Sequence, residues 1–363
     1  MGNSTERPGQ LATLRETRLI TLFLGLLVLF AFGIVLHQLD TIFKPLMIAI
    51  FLSFVLEPLL NLLIRIRVPR ILALIITLIV VFIFLYLLGL IIYASVASFT
   101  AEFPRYQVKF IKMYQDIIGM LEIPHERVHA YFKQVKWTEL WKQFSISSLL
   151  SSTAGSFISF VSNLFIVLIL TIYLVLGKEQ LLKKIRIAFP SDQSKRISSI
   201  IRNINIGIQK YLGTKTFISL GTGAIAAIIL LIFDVDFALV WGLLTFLLNY
   251  IPNIGSIIAT IPPIFVAFFQ YGSFFPAIWV AILLIATQMT MGNLVEPRMM
   301  GKSLNLNPLV VIVSLIFWAI IWGPVGMVLA VPIASAIQII CANIDTLKPI
   351  SIIMGGNEDL ING

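Results

Sequence analysis

The chain alternates long apolar runs with short polar connectors, and most runs are long enough to predict membrane-spanning helices of about 20 residues. The first, Leu19–Leu36, follows a polar segment carrying Arg7, Arg15 and Arg18. It exceeds the roughly 7–15 residues of a signal-peptide core and no small-x-small cleavage site follows it, so it predicts a retained helix with a cytoplasmic N-terminus. A second run, Thr41–Leu63, contains Lys44, Pro45, Glu57 and Pro58 and ends at Arg65, Arg67 and Arg70, which return the chain to the cytoplasm. The third, Ile71–Phe99, has no charged residue and outruns a bilayer, which predicts tilt or projection beyond the lipid. Residues 100–150 then change pattern. Charges of both signs mix with aromatic residues, while Val108, Ile111, Ile118 and Leu121, then Phe132, Val135 and Leu140, recur near helical spacing. This predicts an external subdomain of amphipathic helices, on the membrane, against the spans or in solvent.

A fourth span, Ser156–Leu176, leads into the most basic stretch: Lys178, Lys183, Lys184, Arg186, Lys195, Arg196, Arg202 and Lys210 against Glu179 and Asp192. That stretch belongs in the cytoplasm. Its Ile197, Ile200, Ile201, Ile204 and Ile208 fit one helix face that lies along the membrane or docks on the bundle. A fifth span, Thr216–Phe233, ends outside at Asp234 and Asp236.

Beyond this point a simple helix count fails. The block Phe237–Tyr271 is too long for one crossing and cramped for two, and IPNIGS interrupts it. The block Pro308–Ile340 is interrupted in the same way by WGPVG. Non-helical backbone inside lipid costs several kcal/mol per unpaired group, so such breaks survive only where protein or a wet cavity surrounds them. The pattern predicts two re-entrant hairpins of opposite orientation, one entered from outside and one from inside, flanking a sixth span at Phe275–Met289. Paired thin crossings give the same parity and stand as the alternative. The resulting all-α integral membrane protein has about six full transmembrane helices plus two re-entrant, broken-helix hairpins. Its parts are residues 1–99 (helices one to three), 100–150 (external subdomain), 151–215 (fourth helix and basic segment), 216–345 (transport core) and 346–363 (cytoplasmic tail).

Composition agrees with a membrane class. Hydrophobic residues make up 59% and charged residues 12%, against about 25% charged in soluble domains. The net charge of +9 reflects basic clusters beside the spans, which orient a membrane protein, and no aromatic-interleaved basic face offers itself to nucleic acid. Cys341 is the single cysteine, so no intrachain disulfide forms.

The candidate substrate or ion path draws on polar groups beside the interrupted blocks. Between Phe237 and Val295 no residue is charged, and Glu296 and Arg298 then flank Pro297. Within a membrane Glu296 takes up a proton or cation or accepts from substrate hydroxyls, with Arg298 setting its charge; at the cytoplasmic interface the two merely pair locally and obey the charge rule. Asn249, Asn253 and Asn293 sit at the breaks, with Gln288, Asn305 and Asn307 nearby. Each amide donates and accepts, which suits a neutral polyol, and equally suits bonding between helices. Pro252, Gly255, Gly323, Pro324 and Gly326 shape the tips and hinges. Glu57 before Pro58 reads as a helix-end feature or part of a proton route, and Asp234 with Asp236 as a hydrated turn or a cation entrance.

Three stretches together identify a resemblance: KPLMIAIFLSFVLEPLLNLL followed by VPR, NYIPNIGSIIATIPP, and NLVEPRMMGKSLNLNPLVVIVSLIFWAIIWGPVGMVLAVP. In order and spacing the chain resembles the autoinducer-2 exporter (predicted permease) family over nearly its whole length. The resemblance implies secondary transport across the cell membrane of a small hydroxyl-rich signalling molecule. Some family members are associated with sodium/proton exchange, so monovalent cation/proton antiport is the alternative, and the resemblance also implies a homo-oligomer.

One motif points elsewhere. His125, Glu126 and His129 spell HExxH, the zinc-protease spacing. Arg127 sets a fixed positive charge inside it, and among histidines only His37 remains as a third ligand. With no Walker-type phosphate loop or nucleophile elbow either, the expectation is a transporter without enzymatic activity, metal or cofactor, whose partners are membrane lipid and a small polar solute or cation.

Overall fold

The computed structural model describes residues 23–120, apart from 26 and 29, together with 146–300 and 306–356. Among them every element is helical, and the β contribution is an isolated bridge between Leu306 and Gly355. In order the helices are α1 (Phe23–Gln38), α2 (Asp40–Arg65), α3 (Arg70–Met120), α4 (Ile146–Ala188), α5 (Ser191–Ile232), α6 (Ala238–Leu248), α7 (Ile254–Tyr271) and α8 (Phe274–Thr290). A π-helical turn, Met291–Val295, joins α8 to α9 (Glu296–Met300). Then come α10 (Pro308–Trp322), α11 (Pro324–Ala342), a 3₁₀ turn and α12 (Lys348–Met354).

Among the described residues, seven helical segments are long and apolar enough to cross a membrane. Two of them, α7 and α11, are the second arms of helical hairpins whose first arms, α6 and α10, are short. The others are α2, the first part of α3, the second part of α4, α5 and the α8–α9 segment; α1 is a shorter apolar helix ahead of them. Their outer faces carry bare Phe30, Ile232, Leu239 and Phe275, an apolar exterior that water would not tolerate. The chain is an all-α integral membrane protein.

Helix ends differ from the sequence expectation at three places. The third helix runs past Phe99 to Met120, and α4 begins at Ile146, ahead of Ser156. The basic segment and the fifth span fuse into the 42-residue α5, about 63 Å long. Composition changes there because the surroundings change from water to lipid, while the backbone has no reason to stop. Gly213 is a helix weakness of about 1 kcal/mol, which packed neighbours override. Pro190, at the N-cap of α5, is what divides α4 from α5.

Apolar packing sorts the helices into linked groups. Leu56, Leu60, Ala73, Leu74, Leu164 and Leu168 join α2, α3 and α4. Ala226, Leu230, Val266, Ala267, Val280 and Leu284 join α5 to the first hairpin and α8. Where α5 crosses α6, Gly223 and Gly242 let the two backbones approach, since a methyl group on either would lie 2.6 Å from the opposing helix. A third cluster unites the hairpins: Ile251 at the first break packs with Leu315, Trp318, Ile321 and Trp322 of the second, and Leu36 of α1 joins them. His37 and Trp322 reinforce that seam, the ring Nδ1 of His37 lying 3.0 Å from the Ile321 carbonyl oxygen and the Trp322 indole donating to the Leu36 carbonyl at 3.3 Å.

Between α5 and α6 the chain turns through Asp234 (φ 48°) and Phe237 (φ 62°), both left-handed. Gln270 at the end of α7 holds this turn, accepting from the Asp236 amide at 2.8 Å and donating to the Asp234 carbonyl at 2.6 Å.

Candidate functional site

One face of α5 carries the site. Tyr211, Lys215, Ser219 and Thr222 are buried and follow one another at intervals of three or four, the spacing that keeps side chains on one helix face. Lys215 is 2% exposed, a cation that only a partner can keep there. That partner is Glu296, whose Oε1 lies 2.5 Å from Lys215 Nζ. The carboxylate reaches α5 through the π turn. Pro297 has no amide hydrogen and its ring crowds the carbonyl one turn back, so the helix widens and the Glu296 amide bonds to Met291, five residues earlier. One extra residue in a turn advances the side chains by about 100°. Glu296 thereby faces α5, while Arg298 is exposed.

The tip of the first hairpin docks on the same face. Asn249 caps the end of α6, is buried, and donates from Nδ2 to Ser219 Oγ at 3.0 Å. Next to it, the Tyr250 hydroxyl donates to Thr216 Oγ1 at 2.7 Å, and Thr216 donates to the Leu212 carbonyl. At the turn itself Asn253 takes φ 59° and is exposed, and its carbonyl accepts from Ser256 Oγ.

Both tips use glycine for the same purpose. A methyl group at Gly255 would sit 1.8 Å from the Leu248 carbonyl oxygen, and one at Gly326 would sit 1.9 Å from that of Trp318. Only a bare Cα lets each arm fold back this closely. In the second hairpin Gly323 (φ 64°) ends α10 and starts α11, and exposed Pro324 occupies the first helical position, where a missing amide hydrogen costs nothing.

Of the residues singled out in the sequence, Asn249 and Glu296 meet on α5, one turn apart through Ser219 and Lys215. Asn253, Asn293 and Arg298 are exposed and lie outside this contact, and Pro252 is half-buried. Asn307 is the N-cap of α10, its Oδ1 accepting from the Leu309 amide at 2.9 Å. Lys215, Ser219 and Tyr250 were not anticipated. Lys215 had left a signal: it sits seven residues after Ile208, on the apolar face already recognised, and is the last charge before the fifth span.

A second polar cluster lies toward the basic end of the bundle. Glu57 of α2 receives Lys178 of α4 at 2.7 Å on both oxygens and Gln209 of α5 at 2.6 Å. Glu57 and Lys178 border a cavity of about 790 Å³ between α2, α3, α4 and α5. His125, Glu126 and His129 lie outside the described residues.

The arrangement of two hairpins around a buried pair extends over a chain that matches the family model described as AI-2E family transporter across residues 24–345. The chain belongs to the AI-2E transporter family. It is 34% identical over 321 residues to a putative transport protein of Haemophilus influenzae, covering 87% of this chain and 90% of that one. To the AI-2 transport protein TqsA of Escherichia coli it is 33% identical over 322 residues, 88% of this chain and 90% of the relative. A putative transport protein of Borreliella burgdorferi is 31% identical over 336 residues, with 89% and 87% covered. As an AI-2E family member the protein is a multi-pass secondary transporter of a small solute in a lipid bilayer, and not an enzyme. Cation/proton antiport is not favoured by these relatives.

Proposed function

We propose that the protein exports a small, hydroxyl-rich polar solute of autoinducer-2-like chemistry across the cell membrane by alternating access around the Lys215–Glu296 pair. The buried pair one helical turn from the docked tip of the first hairpin is the observation that carries this reading. An ionised pair inside a bundle is costly, and it is the kind of feature that marks an ion or substrate path. Support for the solute class comes from the relative named AI-2 transport protein, and from the neutral donors and acceptors beside the pair, Asn249, Tyr250, Thr216 and Ser219.

Helix lengths support re-entry. At 1.5 Å per residue α6 is about 16 Å long and α10 about 22 Å, short of a hydrocarbon core of about 30 Å. Ser219, where the first tip docks, lies thirteen residues before the end of α5, or about 20 Å. With the tip at that depth, the exposed Asn253 and half-buried Pro252 open on a wet vestibule, and buried Gly255 shapes the turn behind them. Asn293 and Arg298 line the approach from the other side of Glu296, and Gly323, Pro324 and Gly326 form the opposing hinge. Both termini face the cytoplasm, since the basic stretches then do so too. The working form is a homo-oligomer, and nucleic acid is not a partner.

In the resting arrangement Lys215 neutralises Glu296. Protonation of the carboxylate, or solute hydroxyls bonding to it, weakens that link and frees α9 from α5. The movement is thereby tied to an ion gradient. Proteoliposomes holding the protein should move an autoinducer-2-like polyol faster when a proton or sodium gradient is imposed, and Glu296→Gln should abolish the gradient response. Gradient-independent flux unchanged by Glu296→Gln would overturn the reading.

A further inference from the structure

Away from the buried pair, a cleft of about 690 Å³ opens between the end of α4 and the start of α5. Lys178, Arg186, Lys195 and Arg202 line it together with serine hydroxyls and Asn205, and among the described residues no carboxylate borders it. Lys178 already serves Glu57. Among the described residues Arg186, Lys195 and Arg202 have no acidic partner, whereas Arg196 of the same helix is paired with Asp345. Ser198 adds a second, independent sign. Its Oγ is buried and is the one buried side-chain polar atom without a hydrogen-bond partner among the described residues. Buried hydroxyls are nearly always bonded, so Ser198, beside the cleft, is short of a hydrogen-bond partner. Ser191, on the first turn of α5, also borders it, where the helix dipole favours negative charge.

We propose that this cleft is a phosphate-binding site that takes the head group of an anionic phospholipid. A phosphate offers several acceptor oxygens to guanidinium forks, an ammonium and hydroxyls at once. Basic pockets between helices at the cytoplasmic side are the sites where such head groups are held. The neighbouring 790 Å³ cavity shares Lys178, Leu182, Ile201 and Asn205 with the cleft and is mainly apolar, so a ligand with a phosphate pole and an apolar body fits the two together. The ligand then bridges α4 and α5, the helices that also meet through Glu57, Lys178 and Gln209. This assignment does not depend on what is transported.

The test uses the full chain purified in detergent and measures, by native mass spectrometry and thermal unfolding, its binding of phosphatidylglycerol, phosphatidylcholine and inorganic phosphate. Wild-type protein should retain about tenfold more phosphatidylglycerol than phosphatidylcholine, and Arg186→Gln with Arg202→Gln should remove the preference. Lys183→Gln with Lys184→Gln, which removes the same charge from α4 outside the cleft, should keep it. Ser198→Ala and Lys195→Gln, each alone, should weaken it several-fold and serve if the double variant does not fold. Stabilisation by inorganic phosphate that the cleft variants lose, without preference between lipids, keeps the phosphate site and assigns it to a soluble ligand. Equal binding by wild type and cleft variants, or equal loss in the Lys183/Lys184 control, overturns the proposal.

Discussion

Lys215 Nζ and Glu296 Oε1 stand 2.5 Å apart, yet the lysine side chain is 3% exposed and the glutamate 23%. The two ends of this pair are therefore unequal. Replacing Glu296 by Gln strands a fully buried cation and should cost about 3–5 kcal/mol, as breaking a buried pair does. Replacing Lys215 by Met leaves a carboxylate that reaches water, and should cost less. Chemical unfolding in detergent checks the order, and Lys215→Met combined with Glu296→Gln should recover much of the loss while transport stays absent. A Glu296→Gln protein as stable as wild type would remove the pair from the argument.

The glycines at the tips make a sharper claim about shape. Gly255→Ala and Gly326→Ala each drive a methyl group into a carbonyl oxygen that cannot retreat without moving a helix arm, and should cost about 1–3 kcal/mol or more. Gly177→Ala, inside α4 with open space around the added atom, is the control and should stabilise by up to about 1 kcal/mol through helix propensity alone. Thermal midpoints of the three variants decide this directly.

Asn249 and Asn253 separate packing from transport. Asn249→Ala removes a buried bond to Ser219 and should destabilise by about 1–2 kcal/mol along with reducing flux. Asn253→Gly removes the exposed amide while keeping its left-handed backbone (φ 59°) free of strain, so it should leave the unfolding free energy within about 0.5 kcal/mol and reduce flux alone. Equal flux in Asn253→Gly and wild type would take that amide out of the path.

Thiol labelling reports depth. In a Cys341→Ser background, cysteines at Asn253 and Pro324 should react with an impermeant maleimide more slowly than a cysteine at Asp236, and from opposite faces of the membrane. Paired crossings would instead make both sites react as fast as Asp236.

The hydrophobic runs gave the helices, because a lipid-facing helix must be apolar along its length and the breaks at IPNIGS and WGPVG stand out against that background. Where a helix leaves lipid without ending, as in α3 and α5, composition marked the boundary of the medium rather than of the backbone. Asn249 and Glu296 were visible as polar groups beside uncharged stretches. Their partners were not, since Ser219 and Lys215 come from 30 and 81 residues away and only the docking of α6 and α9 on α5 brings them into reach. The π turn was equally hidden: Pro297 marks a disturbance in a helix, while the direction in which it swings Glu296 depends on the phase of the turns before it.

Gln270 grips both ends of the short link after α5, and the ammonium of Lys109 from α3 in turn donates to the Gln270 carbonyl at 2.6 Å. The mouth of the first hairpin is thus buckled to its neighbours, while its far end rests on α5 through side chains alone. Movement of this hairpin in the proposed transport cycle would therefore pivot at the Gln270 end, with the Asn249–Ser219 and Tyr250–Thr216 bonds breaking at the other.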